Sequence, residues 1–155
     1  MENNPPVEGY ISTKSREIDN AFGGGIPIPS LVLMEGNNDS GKTVLSQLIL
    51  YGALSSGLTA TVLTTENTTR SFLAQMKQLH LDVDRAFMEG KLKVTPIHVK
   101  NVTWTEYRLS KLLSTLTTYV ERNRSKVFII DSLTYMFAEA RIAHSASVQI
   151  RFSPY

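Results

Sequence analysis

The sequence predicts an α/β protein, a parallel sheet covered by helices on both faces. Two observations carry that prediction. Short apolar runs alternate with longer segments of helical period. The runs are apolar throughout, as strands buried on both faces are, rather than at every second position. Size permits the architecture: 155 residues suit one domain, and such a chain can bury roughly 70% of its unfolded surface. A hydrophobic share of 42% and a charged share of 19% describe a globular chain somewhat light on charge. The absence of cysteine excludes disulfide scaffolds, thiol catalysis and Cys-ligated zinc. A formal charge of +2 is too small to announce a nucleic-acid binder.

Residues 1–12 are polar and Pro-rich and read as an N-terminal arm. Ser15 to Phe22 follows as a short helix, capped by Ser15, with Ile18 and Phe22 on one face. Gly23-Gly24-Gly25 stops it, and Pro27 and Pro29 keep the next stretch extended. Leu31-Val32-Leu33-Met34-Glu35 is expected to be a strand buried on both faces. Thr43 to Ser55 is a helix with Val44, Leu45, Leu48, Ile49 and Gly52 on one stripe, ended by Gly57. Thr59 to Thr65 is a second strand, and Thr69 to Leu79 a helix carrying Phe72, Leu73, Met76 and Leu79. A shorter helix around Val83 to Glu89 ends at Gly90, and Leu92 to Ile97 is a third strand. Thr103-Trp104-Thr105-Glu106 has the form of a capping box, opening a helix with Leu109, Leu112, Leu113, Leu116 and Val120 in period. Val127-Phe128-Ile129-Ile130 is a fourth apolar strand.

Gly36-Asn37-Asn38-Asp39-Ser40-Gly41-Lys42-Thr43 fits G-x-x-x-x-G-K-[ST] at every fixed position. The pattern would arise by chance in roughly 1% or fewer of chains this long, and here an apolar run precedes it and an amphipathic helix follows. Each residue type has a physical job. Gly36 and Gly41 let the backbone come close to a phosphate, and the amides of Asn38, Asp39 and Ser40 can turn inward. The helix start adds free amides and a positive dipole end. Lys42 supplies a point charge to terminal phosphates, and the Thr43 hydroxyl can ligate Mg2+.

Asp131 follows the fourth strand directly, at the sheet edge where ligands of open α/β sheets gather. It reads either as a metal-holding acid paired with Thr43 or as a cap of the next turn. Glu66, at the end of the second strand, can orient or deprotonate an attacking water, or can simply be an acid at a helix start. His80, His98 and His144 show no ligand spacing, which argues against a metal cluster, and Trp104 reads as a packing residue. Arg122, Arg124 and Lys126 read as a solvated helix end.

These residues resemble the RecA/KaiC-like P-loop ATPases. The likeness runs through Ile18-Asp19-Asn20-Ala21-Phe22-Gly23-Gly24-Gly25-Ile26-Pro27, the loop itself, Thr65-Glu66-Asn67-Thr68, Gly90-Lys91-Leu92 and Asp131-Ser132-Leu133-Thr134. Within that superfamily, residues 35–42 and 64–68 most resemble the archaellum (archaeal flagellum) accessory protein H family. The resemblance covers about residues 9–137. It implies a RecA-like core over 13–137, with ATP at the loop and Mg2+ between Thr43 and Asp131. It also implies a cytoplasmic role beside the membrane, docked on the archaellum motor ATPase within a ring of several copies. Clock-type relatives carry two adjacent acids where Glu66 is followed by Asn67, which implies weak hydrolysis and a nucleotide-gated assembly part. A KaiC/RecA-type ATPase in another role, including recombinase-like DNA binding, is the competing reading. No basic aromatic loop supports it.

The start, Met1-Glu2-Asn3-Asn4-Pro5-Pro6, lacks a secretory pattern, so the reading expects a soluble, intracellular protein. The end is expected to depart from the family. The resemblance implies that a strand after Asp131 lies between residues 31–35 and 127–131. The available candidate, Ser147-Val148-Gln149-Ile150-Arg151-Phe152-Ser153, alternates as a strand with one wet face does. Residues 138–155 are therefore expected to form a divergent, poorly packed tail, with the core truncated after the Asp131 strand.

Overall fold

The computed structural model describes residues 9–37, 39–98 and 105–133. Most of the arm, Asn38, Thr103 and Trp104, and the tail with His144 and residues 147–153 lie outside the described residues. The chain opens with a small antiparallel pair, β1 (Tyr10–Ile11) and β2 (Ile26–Pro27), which brackets helix α1 (Arg16–Ala21). Asp19 ties this unit together. Its carboxylate accepts from Ser12 Oγ at 2.6 Å, Thr13 N at 2.7 Å and Thr13 Oγ1 at 2.6 Å. Partial burial pushes its pKa up, but those bonds from Ser12 and Thr13 outweigh it and the net shift is downward.

The remaining elements are α2 (Lys42–Ser55), β3 (Ala60–Thr64), α3 (Thr69–Gln78), α4 (Asp84–Met88), β4 (Leu92–Pro96), α5 (Glu106–Arg122) and β5 (Val127–Asp131). The three strands form a parallel sheet of order β4-β3-β5, with Val62 opposite both Val94 and Ile129. All five residues of β3 are buried. On one face Leu50 of α2, Phe72 and Met76 of α3, Leu81 and Val83 close over Ala60, Val62 and Leu92. On the other face Tyr119 of α5 meets Phe128 edge-on, ring centroids 5.8 Å apart. The step from β3 to β4 uses the α3 face and the step from β4 back across to β5 uses the α5 face. Opposite directions on opposite faces keep one handedness of crossover.

Two expectations are corrected. Residues 31–35 form no strand. Leu31 is 79% and Leu33 76% exposed, and Met34 alone of the five is half-buried, against Ile11, Ile26, Ile49 and Ala53. Apolar sequence favours a strand only when a neighbour supplies ladder partners, and among the described residues none flanks this run. The second correction concerns α5. Its cap is Thr105, whose hydroxyl accepts from Arg108 N at 3.3 Å, because Glu106 is already the first helical residue. The other predicted helices and strands lie where the sequence puts them, and Thr68 with Ser71 forms a full capping box on α3.

A candidate phosphate and metal site

The loop 36–43 runs from the exposed segment into α2, whose N-cap Gly41 has φ of +86°. An L residue is strained there, whereas glycine is not. A Cβ on Gly36 would sit 2.6 Å from Ser40 Oγ, so a side chain there fits only if the Ser40 hydroxyl swings aside. Glycine at both positions leaves the backbone there bare of side chain. Lys42 Nζ donates to the loop's own carbonyls, to Gly36 O at 2.8 Å and Asn37 O at 2.5 Å, and to Ser40 Oγ at 3.3 Å. That web holds the ammonium over the loop. Asp39, at φ of +61°, and Ser40 turn the chain inside it. Asn38 lies outside the described residues.

Packing of α2 against β5 brings the second half of the site to the loop. Thr43 Oγ1 donates a long hydrogen bond, 3.5 Å, to Asp131 Oδ1 across 88 residues of sequence. Burial raises the Asp131 pKa; the Thr43 hydroxyl lowers it, Glu66 nearby raises it, and Lys42 lowers it, with a net upward shift. A hydroxyl and a carboxylate so placed are hard oxygen donors. Two protein ligands with the rest left to water and phosphate suit Mg2+.

Glu66 stands exposed beside this pair, with Oε1 accepting from Ser132 Oγ at 3.3 Å. Two residues whose roles sequence reasoning missed lock the strand ends together. Thr65 Oγ1 donates to Ser132 O at 3.1 Å and accepts from Ser132 N at 3.3 Å, while Thr65 N donates to Asp131 O at 3.0 Å. Thr64 Oγ1 accepts from the amides of Glu66 and Asn67, shaping the turn that presents Glu66. A hydroxyl residue beside each strand-end acid was the available signal. Gln47 was also missed. It is buried on α2, donates to Gln75 Oε1 at 2.9 Å, and leaves its own Oε1 without a partner among the described residues.

A KaiC ATPase family model matches residues 11–151. The chain belongs to the KaiC-like ATPase family. Within reach of this KaiC-like domain are two archaeal flagellar ATP-binding proteins FlaH. That of Sulfolobus acidocaldarius is 34% identical over 128 residues, 83% of this chain and 56% of the relative. That of Methanocaldococcus jannaschii is 31% identical over 130 residues, 83% of this chain and 54% of the relative. The crystal structure of flagellar accessory protein FlaH from M. jannaschii superposes with a TM-score of 0.68 at 29% identity, covering 84% of this chain and 57% of that one. The KaiC-like chain thus spans about half the length of these relatives. No helix among its described residues is long and apolar enough to cross a membrane.

Proposed function

We propose that this chain binds ATP with Mg2+ and acts as a nucleotide-gated component of the archaeal flagellar machinery. The observation that carries the reading is the apposition of Thr43 and Asp131 at the start of the helix that follows the G-x-x-x-x-G-K-[ST] sequence. Similarity to flagellar ATP-binding proteins supports the setting. In this reading the backbone of Gly36, Asn38, Asp39, Ser40 and Gly41 cradles the phosphates, and Lys42 exchanges its bonds to Gly36 and Asn37 for phosphate oxygens. Thr43 and Asp131 hold the metal or its water shell. Mg2+ supplies charge that neutralises the terminal phosphates. Glu66 orients the attacking water and accepts its proton. Its exposure and the neutral Asn67 beside it support slow turnover. The chain then works by occupancy, docking on the flagellar motor ATPase in the cytoplasm, beside the membrane, within a ring of copies.

Calorimetry with Mg2+ and ATP tests the first step. Lys42→Ala is expected to remove most ATP affinity, and unchanged affinity would sink the assignment. Glu66→Gln is expected to keep ATP binding and lower phosphate release. Equal release from both proteins would return Glu66 to a helix-start acid. Co-elution with the purified motor ATPase tests the setting, and indifference to ATP would overturn gating.

A further inference from the structure

The loop helix α2 carries an amide that packing leaves half-paired. Thr43 lies in its first turn, and Gln47, four residues on, shares its face. Gln47 is 1% exposed and lines a small space with Leu50, Val62, Phe72, Ile129 and Asp131. Its Nε2 donates to Gln75 Oε1 of α3 at 2.9 Å, while its Oε1 accepts no bond among the described residues. Gln75 is half-buried, and its Nε2 donates to nothing among those residues. Two facing primary amides can donate to each other, and this pair makes one of the two bonds. A buried acceptor without a donor destabilises the arrangement that holds it. Water does not relieve it, because the space that Gln47 lines has no room for one.

We propose that Gln47 and Gln75 form a two-position strut that carries occupancy of the phosphate loop to the turn presenting Glu66. The proposal rests on the phosphate-loop reading and adds a pair of positioning residues to it. The pair bridges two helices that each start at the site. α2 starts at Lys42, and α3 starts at the capping box of Thr68, two residues after Glu66. Lys42 Nζ holds the Gly36 and Asn37 carbonyls, which ties the first turn of α2 to the loop. Phosphate oxygens draw that ammonium away and give the turn a new partner, and α2 shifts. The shift brings Gln47 Oε1 within reach of Gln75 Nε2, and the second bond draws α3 and the Glu66 turn toward Thr43. The ligand selects this arrangement because the filled loop and the doubly bonded pair favour the same position of α2. Leu50, Val62, Phe72 and Ile129 offer neither amide another partner, which keeps the two arrangements discrete.

Two-dimensional NMR on the whole chain, titrated with Mg2+ and ATP, reads the strut directly. The Gln75 side-chain amide is expected to move downfield as it gains its bond, and its protons to exchange with water at least about threefold more slowly. The Lys77 and Gln78 amides, at the far end of α3, should shift in the same titration. Gln47→Met with Gln75→Met keeps chain length and volume while removing both amides. That double variant is expected to bind ATP within about twofold of wild type by calorimetry, yet to lose the Lys77 and Gln78 response. ATP binding by wild type with the Gln75 signal unmoved would overturn the proposal, as would a Lys77 and Gln78 response that survives in the double variant. The Gln75 signal needs no variant, so it decides the matter even if the double variant misfolds. Wild type that binds no ATP would instead bring down the phosphate-loop reading, and the strut with it.

Discussion

Two runs of this chain look alike in sequence and end differently. Ala60-Thr61-Val62-Leu63-Thr64 is a fully buried central strand, whereas Leu31-Val32-Leu33-Met34-Glu35 is more apolar and lies mostly in solvent. Composition does not separate them. β3 has a parallel neighbour on each side, and Ala60 to Thr64 is in register with both. The 31–35 run has none among the described residues and is held at its ends, by the β1–β2 hairpin before it and the phosphate loop after it. Strand formation is therefore a property of the sheet, and an apolar run becomes a strand only where ladder partners exist. The site survives because α2, rather than the 31–35 run, carries the loop to Asp131.

The sharpest way to break the comparison is to truncate one leucine in each run. Leu63→Ala removes a buried side chain and is expected to cost about 2–5 kcal/mol in urea unfolding. Leu33→Ala, at an exposed position, is expected to change stability by less than about 0.5 kcal/mol. Similar losses at both positions would mean that residues 31–35 are packed in solution and the contrast is void.

A second variant tests how the exposed run is anchored. Gly52 sits where α2 passes beneath the hairpin, and an added Cβ would run into the Ser12 carbonyl oxygen. Gly52→Ala gains up to about 1 kcal/mol of helix propensity, but the backbone collision forces the hairpin away. A net loss of about 2 kcal/mol is expected, together with faster exchange of the Ile28 amide that donates to Gly9 O. Stabilisation by Gly52→Ala would show that the hairpin is not docked on α2.

The same contrast explains what could be read in advance. Helical period and capping residues are local, so α2, α3, α4 and α5 were legible, with only the α5 cap misplaced by two residues. β3, β4 and β5 were legible because their partners are present. The β1–β2 pair is two residues a side, too short for a pattern, and Pro27 argues against a strand. At the site, the loop 36–43 was legible because its chemistry is contiguous, as were the acids Glu66 and Asp131 at strand ends. The locks between Thr65 and Ser132, 67 residues apart, and between Gln47 and Gln75, 28 apart, belong to packing that no local pattern encodes.

The smallest effect expected lies at the boundary between the two regions. β5 is half-buried along its whole length, paired to β3 on one edge, and Asp131 ends it. Burial there raises the Asp131 pKa above its ordinary 3.8, so the folded protein binds this proton more tightly than the unfolded chain. Asp131 therefore contributes stability that is fully present below the unfolded value. That contribution is lost as pH rises through the raised one. At neutral pH the charged carboxylate is a cost that Asp131→Asn removes while keeping an acceptor for Thr43. Urea unfolding should find Asp131→Asn the more stable protein at pH 7, with the difference closing as pH falls below the unfolded value. Adding Mg2+ and ATP should reverse the order, because the ionised carboxylate then faces a cation and the bound ligand stabilises wild type more. A variant less stable than wild type at pH 7 without ligand would show that the β5 end is as wet as residues 31–33. The boundary between the two regions would then lie inside the sheet, between β3 and β5, instead of beyond it.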